Sequence, residues 1–183
     1  YCQYCRLEGT VNAQTGSVRG NKGVGGILGE YDNYTHDHRI NRIYNKVSSV
    51  SGNHGVGGVI GGFISDSIDI SMSEIYNQVS IINRDGEVPS NFGGLIGEIL
   101  FNSSSMSNGL NVSLNKVYDQ VNSFTPGMNA GGLIGSMHEI DNDSNTFKHA
   151  NITINDLHAE IDAYNVHASD DGGNGGILSK LEG

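Results

Sequence analysis

Tyr44, Tyr76 and Tyr118 occupy matching places in three related words: Ile43-Tyr44-Asn45-Lys46-Val47, Ile75-Tyr76-Asn77-Gln78-Val79 and Val117-Tyr118-Asp119-Gln120-Val121. Leu157-His158-Ala159-Glu160-Ile161 is a fourth copy, and Leu7-Glu8-Gly9-Thr10-Val11 fits the same apolar frame. If the aliphatic lead of each word points into a core, the residue after it points outward. The three tyrosines then form a column with Glu8 and His158 at its ends. Such a flat aromatic strip can bind glycan rings or a partner chain. Stacked tyrosines also stabilise adjacent strands by same-face contact, a role that requires no ligand.

Other residues offer weaker chemistry. Asp141, Asp143 and Asn145 place oxygen side chains at alternate positions, like the start of an EF-hand loop. Thr146 stands where that loop needs glycine, and Ile152 where it needs glutamate, so a solvated polar loop is the simpler reading. Cys2-Gln3-Tyr4-Cys5 is a single C-x-x-C pair, whereas a structural zinc site takes four ligands. A local disulfide needs an oxidising compartment. Asp66 with Asp69, or Asp162 with Asp170 and Asp171, could supply paired carboxylates. No lysine or arginine shares their columns, and an acidic solubilising surface accounts for them. Five Asn-x-Ser/Thr acceptors begin at Asn33, Asn102, Asn111, Asn142 and Asn151. These patterns lead to an expectation of no catalytic residue, no bound metal and no cofactor.

The elements that must position these residues are marked by a second word. Gly25-Gly26-Ile27-Leu28-Gly29 recurs as Gly57-Gly58-Val59-Ile60-Gly61, Gly93-Gly94-Leu95-Ile96-Gly97 and Gly131-Gly132-Leu133-Ile134-Gly135, with Gly175-Gly176-Ile177-Leu178-Ser179 as a worn fifth copy. Self-similarity at this period marks a repeat architecture. No Lys-Ser or Lys-Thr follows the glycines, so they are not a phosphate cradle. Gly26, Gly58, Gly94, Gly132 and Gly176 are instead structural, permitting a tight corner or close approach between coils.

Around the tyrosine words, apolar residues recur at fixed offsets. Ile70 and Met72, Val112 and Leu114, and Ile152 and Ile154 precede the lead, as do His38 and Ile40 in the second unit and Cys2 and Tyr4 in the first. Gln14, Val50, Ile82, Phe124 and Tyr164 follow it. Runs such as Ile70-Ser71-Met72 alternate as half-buried strands do. The two-residue skip before each lead predicts a corner. Gly-Gly words and β-branched alternation are incompatible with paired amphipathic helices. The expected fold is therefore all-β: a parallel β-solenoid, a right-handed β-helix of about four complete coils plus a partial N-terminal one. Its coils would stack about 4.8 Å apart. Residues 1–183 form one repeat domain, an excerpt of a longer chain, with repeats near 1–29, 30–61, 62–97, 98–135 and 136–179. Length varies mainly after the glycine words, in stretches expected to be loops on one face: Glu30 to Arg39, Gly62 to Asp69, Asn102 to Asn111 and Met137 to Asn151.

The net charge of −10 argues against unaided binding to nucleic acid or an anionic membrane surface. No run is apolar and long enough to suggest membrane insertion of this segment.

The glycine words, each followed by a polar stretch and an Ile-x-Asn-x-Val-like strand, resemble the GLUG motif. Gly94-Leu95-Ile96-Gly97 and Gly132-Leu133-Ile134-Gly135 match it directly, and Gly26-Ile27-Leu28-Gly29 and Gly58-Val59-Ile60-Gly61 match with aliphatic substitutions. Gly176-Ile177-Leu178-Ser179 departs at the last glycine. The resemblance covers most of residues 7 to 179. It implies an extracellular location at a bacterial cell surface, in adhesin-like proteins or in non-catalytic regions of immunoglobulin A peptidases. No His-Glu-x-x-His is present, so no metalloprotease activity carries over. The expected function is a non-enzymatic stalk or display scaffold. Its partners would be a host or cell-surface glycan or protein, or copies of itself end to end. Alternatives are a subunit of an extracellular filament and an accessory domain of a secreted hydrolase or peptidase.

Overall fold

The computed structural model describes residues 6–7, 11–13, 16–33, 38–65, 69–86, 90–101, 110–139, 150–164, 174–176 and 178–182. These residues contain no helix, and every strand pairing among them is parallel. The first turn comprises β1 (Arg6–Leu7), β2 (Val11–Ala13), β3 (Ser17–Arg19), β4 (Lys22–Gly25) and β5 (Leu28–Asn33). The second has β6 (His38–Asn45), β7 (Ser49–Gly52), β8 (His54–Gly57) and β9 (Ile60–Ser65). The third has β10 (Asp69–Arg84), β11 (Ser90–Gly93) and β12 (Ile96–Phe101). The fourth has β13 (Leu110–Thr125), β14 (Met128–Gly131) and β15 (Ile134–Glu139), and the fifth β16 (Ala150–Tyr164), β17 (Asn174–Gly175) and β18 (Leu178–Glu182).

The turns stack into three parallel sheets, making a β-solenoid. The long strands form one sheet, and β4, β8, β11, β14 and β17 form a second. The strands β5, β9, β12, β15 and β18, which follow the glycine words, form the third. The N-terminal unit, expected to be partial, contributes strands to all three sheets.

Ile43, Ile75, Val117 and Leu157 are in register, as are Val50, Ile82, Phe124 and Tyr164. The first unit requires a correction. Ile43 pairs with Val11 rather than Leu7, Val50 pairs with Val18 rather than Gln14, and Leu7 pairs with Ile40. Leu7 lies 18 residues before Gly25 and Val11 lies 14, both intervals that other units use, and the fold takes the shorter. A second correction concerns the stretches expected to be loops. The first residues of three of them, Glu30 to Asn33, Gly62 to Ser65 and Met137 to Glu139, belong to the third sheet, where Tyr31, Phe63, Ile99 and Met137 are buried in one column.

The expected corner has a specific backbone origin. Residues three apart in a regular strand point to opposite faces. Yet Ile40 and Ile43 are both buried, as are Met72 and Ile75, and Leu114 and Val117. The residue before each lead adopts the left-handed conformation: Arg42 at φ 59°, Glu74 at 56°, Lys116 at 54° and Asp156 at 53°. That single residue turns the chain so that the apolar residues two before it and one after it both face inward. A second left-handed corner lies at Gly23, Gly55, Asn91 and Asn129, residue types that accept this conformation at least cost.

The interior has two apolar clusters. One packs the first half of the long strands against the third sheet, around Ile40, Phe63, Ile75, Leu95, Ile99 and Leu114. The other packs their second half against the second sheet, around Val50, Val56, Val79, Ile82, Phe92 and Phe124. Between them the glycine words meet a buried polar ladder, Asn45, Asn77 and Asp119, two residues after the leads of the three central turns. Asn45 Nδ2 donates to Gly58 O at 2.7 Å and to Asn77 Oδ1 at 2.7 Å. Asn77 Nδ2 donates to Gly94 O at 3.0 Å and to Asp119 Oδ1 at 2.6 Å. A Cβ on Gly58 would collide with Gly94 O and Asn77 Nδ2. The expected close backbone approach is therefore real, and its partner is the ladder.

Candidate functional site

The alternation of β6, β10, β13 and β16 turns Tyr44, Tyr76, Tyr118 and His158 to the outer face in one column. Successive ring centroids lie 4.8, 4.7 and 4.9 Å apart, with planes within 11°, 5° and 6° of parallel. The spacing is that of the strands themselves, so in-register stacking brings ring onto ring. The hydroxyls of Tyr76 and Tyr118 donate to Gln78 and Gln120 Oε1 at 3.4 and 3.1 Å, and Gln78 Nε2 donates to Gln120 Oε1 at 2.9 Å. Lys46 Nζ lies 5.2 Å from the Tyr44 ring centroid and 5.7 Å from that of Tyr76, within cation–π range. A hydrogen bond with Tyr44 is the main influence raising the Lys46 pKa.

This geometry decides what the ladder can offer a ligand. Tyr76 and Tyr118 each have rings stacked on both faces, so their edges and hydroxyls, rather than their faces, are presented outward. Replacing Tyr76 by Ser removes two stacked pairs and should lower unfolding free energy by about 2 kcal/mol. Urea denaturation measures this. Binding to any identified partner that survives Tyr76→Ser and Tyr118→Ser would confine the ladder to a structural role.

A second site joins residues that sequence reasoning did not single out. Glu98, on β12, is 1% exposed, and its column neighbours are Gly62 and Ser136. A Cβ on Gly97 would collide with the backbone of Val56, so β12 lies directly against β8 of the preceding turn. The Glu98 carboxylate thereby reaches the left-handed corner at Gly55, where an added Cβ would lie 2.7 Å from Oε1. His54 Nε2 stands 3.0 Å and His138 Nε2 3.7 Å from Glu98 Oε2. Asn91 Nδ2 donates to the same oxygen at 2.8 Å, and Asn129 Nδ2 holds Asn91 Oδ1 at 3.0 Å. On its other side His54 Nδ1 meets Ser90 Oγ at 2.5 Å. Ser136 Oγ and His138 Nδ1 are buried without a hydrogen-bond partner among the described residues.

Burial is the largest single influence on Glu98 and pushes its pKa up. The nearby His138 imidazole, the hydrogen bond and charge of His54 and the bond from Asn91 together outweigh it and hold the carboxyl at about 2. A depressed carboxyl pKa contributes stability above the unfolded value, near 4.5, and that contribution is lost as pH falls toward 2. Glu98→Gln should therefore lose up to about 3 kcal/mol at pH 7 and flatten the acid limb of the stability profile. Equal acid sensitivity in both proteins, followed by circular dichroism, would count against this account.

Glu98 stood out weakly in the sequence. It is a carboxylate directly after a glycine word, where neighbouring units have Gly62 and Ser136. Nothing in linear order connects it to His54.

Among the described residues, no group of three or more His, Cys, Asp or Glu is arranged to hold a metal ion. The calcium candidates Asp141, Asp143 and Asn145, the Cys2/Cys5 pair and the carboxylates Asp66, Asp170 and Asp171 lie outside the described residues. Asp69 accepts from Asn111 Nδ2 at 2.9 Å, and Asn151 Nδ2 donates to Asn111 Oδ1 at 3.0 Å. Two of the glycosylation acceptors are thus tied into one polar ladder. That ladder borders an open groove of about 400 Å³, lined by Arg39, Asp69, Ser71, Asn111 and Ser113 among others. No family model, curated protein or solved structure matches this chain.

Proposed function

We propose that the chain is a non-enzymatic segment of a bacterial adhesin-like surface protein, serving as a stalk and display scaffold outside the cell. The GLUG resemblance belongs to this proposal. The supporting observation is the tier-on-tier register: five turns repeat the same inward columns, and every strand pairing among the described residues joins neighbouring turns in parallel. Each turn buries its apolar face against its neighbours, so the array gains stiffness along its axis. The same register carries polar and aromatic columns onto the outer surface. The tyrosine edges and the polar groove at Arg39, Asp69 and Asn111 are the surfaces this reading offers to a glycan or protein. Binding to immobilised cell-surface glycans and proteins, compared with Tyr118→Ser and Asp69→Ala variants, tests it. Binding that neither variant changes would remove both surfaces from the proposal.

The filament alternative would pair an edge strand of one copy with an edge strand of another. Ile152, Ile154 and Leu157 on β16 align with buried residues of β13 but are themselves only partly buried. Size-exclusion chromatography with light scattering separates the two: a concentration-independent monomer mass supports the stalk, and a concentration-dependent polymer the filament.

A further inference from the structure

We propose that Ser90, His54 and Glu98 form a nucleophile relay through which Ser90 takes up the acyl group of a small activated ester. This adds an acyl-transfer activity to the scaffold role and, once shown, replaces the non-enzymatic part of that reading while leaving the scaffold itself untouched. The relay is an arrangement of neighbouring turns. Ser90 and His54 are register partners on β11 and β8, which places the Ser90 hydroxyl beside the imidazole. The close packing of β12 on β8 places Glu98 at the other imidazole nitrogen.

The chemistry follows from which nitrogen faces which oxygen. Glu98 is a buried acceptor, so the nitrogen facing it, Nε2, carries the proton of a neutral His54. The lone pair is then on Nδ1, 2.5 Å from Ser90 Oγ. A base hydrogen-bonded to a hydroxyl, and oriented in turn by a third group, is the general pattern of an activated nucleophile. Asn91, held by Asn129, donates to Glu98 Oε2 and keeps that carboxylate in place. The His54 side chain is 38% exposed, so the relay opens to solvent on its imidazole side.

In the step proposed, Ser90 Oγ attacks the ester carbonyl carbon while its proton passes to His54 Nδ1. Collapse of the tetrahedral adduct breaks the bond to the leaving alcohol, which takes the proton from Nδ1. Ser90 is left as an acyl ester. Water deprotonated by the same nitrogen then cleaves that ester, releasing a carboxylic acid and restoring Ser90. The charge that forms on His54 during attack is opposed by the Glu98 carboxylate.

The test uses the intact chain with p-nitrophenyl acetate and, separately, an alkyl fluorophosphonate. Phenolate release and peptide mass mapping are the readouts. The expected results are a phosphonyl adduct on Ser90 and phenolate release at least on the order of ten-fold faster than in Ser90→Ala or His54→Gln. Ser80→Ala, an exposed serine elsewhere on β10, should behave as wild type. Mapping the adduct on the wild-type protein needs no variant, so a folding defect in His54→Gln does not weaken the test. No adduct on Ser90, or phenolate release unchanged in Ser90→Ala, overturns the proposal.

Discussion

Replacing Asp119 by Asn should raise the unfolding free energy by up to about 4 kcal/mol at pH 8 and change it little at pH 4. Asp119 closes a ladder whose other members, Asn45 and Asn77, are amides. It is buried, and desolvation pushes its carboxyl up to about 7, against the hydrogen bond from Asn77 that favours the ionised form. Its Oδ2 occupies the place taken by an amide nitrogen one turn earlier: a Cβ on Gly58 would strike Asn77 Nδ2, and one on Gly94 would strike Asp119 Oδ2. The protonated acid reproduces the Asn pattern, with Oδ1 accepting from Asn77 and Oδ2–H available as a donor. The ionised form has no donor to offer. A raised carboxyl pKa contributes stability fully below the unfolded value, near 3.8, and loses it as pH rises through about 7. Asn cannot ionise, so the variant escapes that loss. Urea denaturation at pH 4, 6 and 8 measures the difference. A gain of equal size at all three values would show that titration of Asp119 is not its source.

Glu98 works in the opposite direction, since its contribution is complete above about pH 4.5 and declines toward pH 2. The two buried carboxyls together place their joint optimum near pH 4 to 5. The double variant Glu98→Gln/Asp119→Asn should show a flatter profile on both sides.

The second large effect is expected where the glycine words meet the buried polar ladder. Gly94→Ala should destabilise by about 3 kcal/mol, whereas Gly176→Ala should change stability by less than about half a kcal/mol. A Cβ at Gly94 would overlap the carbonyl of Gly132 and the carboxyl of Asp119. Both are held by the stacking of turns and cannot withdraw independently. At Gly176 the same atom meets nothing within 4 Å among the described residues. The two substitutions are chemically identical and sit at equivalent places in the repeated word, so the contrast isolates packing from propensity. For a chain of this size, the first should lower the melting temperature by roughly 10 °C. Similar melting temperatures for the two variants would mean that the glycine words are not in tight contact.

Much of the architecture was legible because the fold repeats itself. In a parallel stack each residue sits beside its counterpart in the next turn, so Ile43, Ile75, Val117 and Leu157 could be aligned before their contacts were known. The tyrosine column followed from the same alignment. The reading failed where repetition gave two admissible offsets, as at Val11, and where strands alternate around residues resembling loop, as at Glu30 to Asn33.

The candidate chemistry was less legible, for a physical reason. Periodicity relates a residue to the same place one turn away. His54 and Glu98 occupy different places, and they meet because Gly97 lets β12 lie on the backbone of β8. Asp119 likewise reads as a conservative change in an Asn column until packing against the glycine words removes it from water. The repeated words, the register over most turns and the inward columns follow from local alternation and spacing, and so are written in the chain. Which unlike positions share a buried space follows instead from how the turns pack on one another. That space sets the ionisation of Glu98 and Asp119 and brings Ser90 to His54.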